Sequence, residues 1–155
     1  MARPLDDIDA RLIVRLQSDG RVSNKELAAE VGLAPSSCLE RVRRLRDDGI
    51  LLGTRALIDP DAVGVVLQAM VAVRLKSHDR DSMNSLRDML ASREEVVSIF
   101  HLSGADDLLV HVACRDTDHL RDLVMEHVGA HPAVRQVETS LVFEHESRPV
   151  PVYRP

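Results

Sequence analysis

The chain is nearly devoid of aromatic side chains: Phe100, Phe143 and Tyr153 are the only Phe, Tyr or Trp among 155 residues. Any core must be built from Leu, Val, Ile, Ala and Met. No apolar run approaches the ~20 residues that a membrane-spanning helix needs. The opening Met1-Ala2-Arg3-Pro4-Leu5-Asp6-Asp7 is charged early and has no apolar signal core. No membrane partner is expected, and the reading is of a cytoplasmic protein. Only two cysteines occur, Cys38 and Cys114. They lie far apart in apolar patterns and read as small buried hydrophobes in a reducing compartment.

Catalytic signatures are also missing. There is no Gly-rich phosphate loop, no nucleophile elbow and no catalytic Cys/His pair. Seven histidines are present, but none has zinc-finger spacing with cysteine. His127 and His131 have i,i+4 spacing, yet Gly129 and Pro132 argue against one continuous helix. His119 and His127 are too far apart on a helix to share an ion. His101 and His111 fall in strands and read as packed or surface residues. No metal, no cofactor and no enzymatic activity are expected.

The net charge of −5 is unevenly spread. Residues 1–58 carry ten basic and nine acidic groups, whereas residues 59–155 carry ten and sixteen. Two small domains fit the length. Each has a limited core, so burial through oligomerisation is a reasonable expectation.

In the first part, Ile8, Leu12, Ile13 and Leu16 recur at helical spacing, with Asp6, Asp7 and Asp9 in a first turn where the helix dipole favours anions. Gly20 is a stop. Ser23-Asn24-Lys25-Glu26 is a capping box opening a second helix, which Gly32 breaks. Small Ala28 and Ala29 allow close approach of the next helix. Pro35 suits the first position of a third helix, running to Asp48 and ending at Gly49. Helix, Gly-containing turn and helix make a helix-turn-helix. On the third helix Cys38, Leu39, Val42 and Leu45 form one apolar arc, and Ser36, Ser37, Arg41, Arg43 and Arg44 the opposite one. Short hydroxyls near the helix start and arginines further along suit a major-groove reader. Ile50–Ile58 reads as extended, and Asp59-Pro60-Asp61 as a turn near the domain boundary.

The second part repeats a pattern: a strand over Gln68–Lys76, a helix over Asp81–Ala91, strands over Val96–Leu102 and Asp107–Ala113 around a turn at Ser103–Asp106, a helix over Asp116–Val128, and a last strand within Val134–His145. The order βαββαβ is the ferredoxin-like plan. This plan hosts many functions. An RNA-recognition module would need aromatic stacking residues on its central strands, and only Phe100 is available.

With both halves placed, the chain resembles the Lrp/AsnC (leucine-responsive, feast/famine) family of transcription regulators over residues 5–147. Leu5–Ile13 is similar to the family's first helix, Leu27–Leu33 to its second helix and turn, and Arg41–Ile50 to its recognition helix and exit. Gly104-Ala105-Asp106-Asp107 matches its Gly-x-x-Asp hairpin, and Thr139-Ser140-Leu141-Val142 resembles its final strand. Two departures stand out. Ala34 replaces a frequent Ser, weakening that cap, and Glu40 stands where a basic or polar residue is frequent.

The resemblance implies an α+β protein: a (winged) helix-turn-helix domain over 1–58 and an effector-binding and oligomerisation domain of βαββαβ form over 59–155. It implies double-stranded DNA with a palindromic operator as one partner. A small-molecule effector, an amino acid, is the other. It also implies a homodimer assembling further into an octamer. Ser36, Ser37 and Arg41 are expected at or near the bases, and Lys25, Arg43 and Arg44 at phosphates. The effector site is expected at Ser103, Gly104, Ala105, Asp106 and Asp107, with hydroxyls from Thr139 and Ser140. Backbone N–H groups of a tight Gly hairpin would meet an α-carboxylate, and an Asp the α-ammonium. An effector-independent DNA-organising protein and a ferredoxin-like small-molecule enzyme are the alternatives.

Overall fold

The structure, a computed structural model, describes residues 4–153 and divides into two compact units. The first runs to Leu57 and takes up the chain again from Glu146; the second is Ile58–His145.

Three helices build the first unit: α1 (Asp7–Ser18), α2 (Asn24–Val31) and α3 (Pro35–Asp47). Both early helices start on capping boxes. Asp6 accepts from the Asp9 N–H while Asp9 reaches back to the Asp6 N–H, and Ser23 and Glu26 do the same for α2. Gly32 closes α2 in the left-handed region (φ 75°), which sets the sharp turn into α3. α3 starts without a side-chain cap at Ala34, and Pro35 at its first turn supplies the fixed φ instead. Leu12, Ile13, Leu27, Ala28, Val31, Cys38, Val42 and Leu45 form the core.

Three expectations are corrected here. Leu39 is 56 % exposed and lies outside the core arc. Ala28 is buried but Ala29 faces outward, so one small residue, not two, allows the helices to approach. Residues 51–58 form no strand, so α3 is not followed by a β-wing among the described residues.

The last residues also depart from the expected division at 58/59. The segment from Glu146 packs on the three-helix unit rather than on the βαββαβ unit. The side-chain amide of Gln17 donates to the Val150 carbonyl (3.1 Å) and accepts from the Val150 N–H (2.9 Å), imitating a strand partner. Val152 packs against the helical core. Pro151, between them, has no N–H left to satisfy.

The second unit is a four-stranded antiparallel sheet in the order β2-β3-β1-β4, built from β1 (Leu67–Leu75), β2 (Val96–His101), β3 (Leu108–Cys114) and β4 (Val134–Val142). Two helical segments connect them, α4 (Arg80–Ala91) and α5 (Thr117–Asp122). Beyond Asp122 the helix widens into π geometry over Leu123–Val128, and Gly129 donates to the Val124 carbonyl at 2.7 Å. The expected uniform α-helix to Val128 is thus replaced by a composite one.

Period-two alternation sends Ala69, Val71, Val73 and Leu75 of β1, and Leu108, Val110, Val112 and Cys114 of β3, into one core. Leu86, Leu90, Leu120, Leu123 and Val128 cover them from the helices. The opposite sheet face carries Gln68, Met70, Ala72 and Arg74 of β1, Leu109 and His111 of β3, and Phe100 of β2, and no helix of this unit lies over it. Both cysteines are buried and unpaired, as expected.

Candidate functional site

On α3, Ser36, Ser37, Glu40 and Arg43 are exposed, and Lys25 is exposed at the start of α2. The Arg43 side chain is 82 % exposed and makes only a long contact to Asp47 at 3.8 Å. Arg41 and Arg44 behave differently. Arg41 Nη1 lies 2.7 Å from Asp6 Oδ2 and 2.8 Å from Asp9 Oδ1, and Arg44 Nη2 lies 2.9 Å from Asp9 Oδ1. Asp9 is 1 % exposed. Its charge is therefore compensated by both guanidiniums and by the capping contacts of α1. The hydrogen bonds that Arg41 donates to Asp6, then to Asp9, raise its pKa above the ordinary value. Arg41, expected at or near a base, and Arg44, expected at a phosphate, are both held in ion pairs with Asp6 and Asp9, whereas Arg43 is not. Two carboxylates one helical turn apart draw both guanidiniums back to α1.

In the second unit the hairpin between β2 and β3 is closed by Leu102 N–H donating to the Asp107 carbonyl (2.9 Å), and Asp107 N–H donates to Val73 (2.9 Å). Ser103, Gly104 and Ala105 are exposed, and their N–H groups donate to nothing among the described residues. Gly104 is not at positive φ, and a Cβ there meets nothing within 4 Å. The chain's own backbone therefore does not require a glycine at this point, contrary to the tight-turn expectation.

The two acidic residues have distinct surroundings. Asp107, 9 % exposed, accepts from the Leu75 N–H at Oδ2 (2.8 Å), and its Oδ1 lies 2.7 Å from His78 Nδ1. It thereby fixes the end of β1. Asp106, on the half-exposed side, binds Arg74 Nε at 2.8 Å, and Glu138 stands 3.9 Å from the same guanidinium.

Thr139 and Ser140 are not brought to the hairpin. On β4 they pair with Val71 and Met70 of β1, whereas the hairpin leaves β3 beyond Leu108, the partner of Val73. That is two strands away, about 9–10 Å across the sheet, and several residues along it at roughly 3.4 Å each. Alternation also turns the two hydroxyls to opposite faces. Sequence reasoning missed Asp6 and Asp9 as anchors for α3, Arg74 as the partner of Asp106, and His78 as the partner of Asp107. The Asp-x-x-Asp spacing at 6 and 9 was a visible capping signal, but its arginine partners lie more than thirty residues away.

The two units correspond to two family models. Residues 5–46 match the AsnC-type helix-turn-helix domain, and residues 68–150 match the Lrp/AsnC ligand binding domain. The chain is 46 % identical over 144 residues to the HTH-type transcriptional regulator AldR of Mycolicibacterium smegmatis, covering 93 % of this chain and 84 % of that one. It is 34 % identical to the leucine-responsive regulatory protein of Escherichia coli, covering 92 % and 87 %. In three dimensions it is similar to a transcriptional regulator of Neisseria meningitidis solved as an L-Met complex, with a TM-score of 0.87, 30 % identity and 96 % of each chain covered. The chain belongs to the Lrp/AsnC family of helix-turn-helix transcriptional regulators.

Proposed function

We propose that the protein binds a palindromic operator as a homodimer and that a small-molecule effector, an amino acid held by the βαββαβ units, alters that binding. The observation that carries the reading is the pairing of an exposed, basic-and-hydroxyl recognition face on α3 with a ligand-domain fold whose structural neighbour holds L-Met. Ser36 and Ser37 approach the groove at the helix start, and Arg43 and Lys25 meet phosphate or base edges. Arg41 and Arg44 set the angle of α3 through Asp6 and Asp9. Phosphate contacts supply much of the affinity, which falls steeply with salt.

Dimerisation uses the open sheet face, where Met70, Ala72, Leu109 and the half-exposed Phe100 offer apolar area. Two copies would present two recognition helices about one helical turn, or a multiple, apart. The unpaired N–H groups of Ser103, Gly104 and Ala105 suit an α-carboxylate, and Asp106 an α-ammonium. Thr139 and Ser140 reach the same ligand only from another copy, which favours a site completed by assembly, up to an octamer.

A thermal-shift screen of the full chain against the twenty amino acids tests the effector half. A ligand at a hundredfold excess over Kd raises stability by about 2.7 kcal/mol. One amino acid giving a shift that Gly104→Val removes supports the reading. No shift at millimolar concentrations leaves an effector-independent DNA-organising protein.

A further inference from the structure

The recognition face has an acid at its centre. Viewed down α3 at about 100° per residue, the buried Cys38, Val42 and Leu45 define the inward direction. Glu40 and Asp47 lie opposite them, with Ser36 and Arg43 alongside. Asp47 is in the last turn and contacts Arg43. Glu40 stands in the half of the helix that enters a major groove. It is exposed and makes no hydrogen bond or ion pair among the described residues. It sits too far from the helix N-terminus to gain from the dipole, which acts over the first turn. Because Asp6 and Asp9 hold Arg41 and Arg44 back, Glu40 and Arg43 are the charged groups left on the outward centre of the first three turns.

A carboxylate beside a phosphate backbone weakens binding to every sequence alike. It gains only where a base donates to it. A carboxylate has acceptors and no donor. Cytosine offers its N4 amino group to the major groove, whereas adenine sets an N7 acceptor beside its N6 donor, and guanine offers acceptors alone. We propose that Glu40 is a specificity-determining residue that accepts from a cytosine N4 amino group, so that each half-site holds a C·G pair facing it. The inference rests on the DNA-reading function proposed above and names one base that α3 reads.

The test is selection of bound duplexes from a random pool by the full-length protein and by Glu40→Ala and Glu40→Gln, followed by titration of the selected duplex. Melting curves confirm that the exposed substitutions leave the fold intact. The wild-type pool is expected to fix cytosine at one position of each half-site, and replacing that C·G by T·A to weaken binding roughly 5- to 150-fold. Glu40→Ala is expected to lose this preference alone and to bind random duplex more tightly than wild type. Glu40→Gln is expected to shift the position toward adenine, the base that a glutamine amide pairs with bidentately. Identical selected sequences for all three proteins overturn the assignment of Glu40 while leaving DNA reading intact. A wild-type pool with no enriched sequence overturns sequence-specific reading itself.

Discussion

Arg41 Nη1 lies 2.8 Å from Oδ1 of Asp9, a carboxylate with only 1 % of its surface exposed. This contact joins α3 to the first helix. Asp9→Ala is expected to lower stability by about 3 kcal/mol, the low end for a broken buried pair, because both guanidiniums keep partial solvent access. Arg41→Ala is expected to lower the melting temperature and to weaken specific and random duplexes by similar factors. A base-specific loss with unchanged melting would place Arg41 on the DNA instead. Melting curves and parallel titrations on two duplexes separate these outcomes.

Arg43 carries its charge almost free of protein contacts. Arg43→Ala is expected to leave melting unchanged within about 0.5 kcal/mol, as for exposed surface sites. Its operator affinity is expected to fall, and if Arg43 holds a phosphate, the slope of log affinity against log salt becomes shallower by about one. Titrations at several salt concentrations read that slope.

The tail from Glu146 is tied to α1 by the two Gln17 hydrogen bonds to Val150 and by Val152 in the helical core. Gln17→Ala is expected to destabilise the three-helix unit by about 1–2 kcal/mol, the worth of two such bonds. Truncation before Val150 is expected to cost more, since Val152 is lost as well. Amide exchange within α1 measures both.

His111 is 7 % exposed on the open sheet face, 2.8 Å from Gln68 Oε1 and edge-on to His145 at 5.3 Å between ring centres. Burial, then the neighbouring His145, lowers its pKa below the ordinary histidine value. The unfolded chain therefore binds the proton more readily than the native one. The stabilisation is present above the unfolded pKa of about 6.5 and is lost as pH falls through it toward the folded value. Melting temperature is expected to drop between pH 7.5 and 5.5, with a smaller drop in His111→Asn. An identical drop in both proteins would assign the effect to other groups.

Gly104 has open space where a Cβ would stand and an ordinary φ. Gly104→Val is expected to fold with unchanged melting in the absence of ligand and to lose the amino-acid-dependent shift. A retained shift of full size would move the effector site elsewhere.

Elements governed by local rules were readable in advance. The Ser23/Glu26 box, Gly32, Pro35 and the alternation of β1 and β3 depend on neighbours a few residues away, and each element falls within a residue or two of its expected span. The misplacements share a cause: long-range partners. Leu39 continues the apolar spacing of α3, yet the core closes over Cys38, Val42 and Leu45 without it. Arg41 and Arg44 look like free cations until α1 folds against them. Thr139 and Ser140 lie on β4, whose place beyond β1 follows from topology rather than from its own residues. Asp106 and Asp107 are adjacent and chemically alike, but one faces Arg74 while the other holds the Leu75 N–H.

The proposed coupling between an amino acid and DNA binding can be read in a single titration. The most direct measurement is the Kd for a selected operator, titrated in the presence and absence of each of the twenty amino acids at fixed salt. At least one of them is expected to shift Kd by about 5- to 150-fold, the usual range of coupling between two sites, and Gly104→Val to abolish the shift. An operator Kd that no amino acid alters would contradict that coupling.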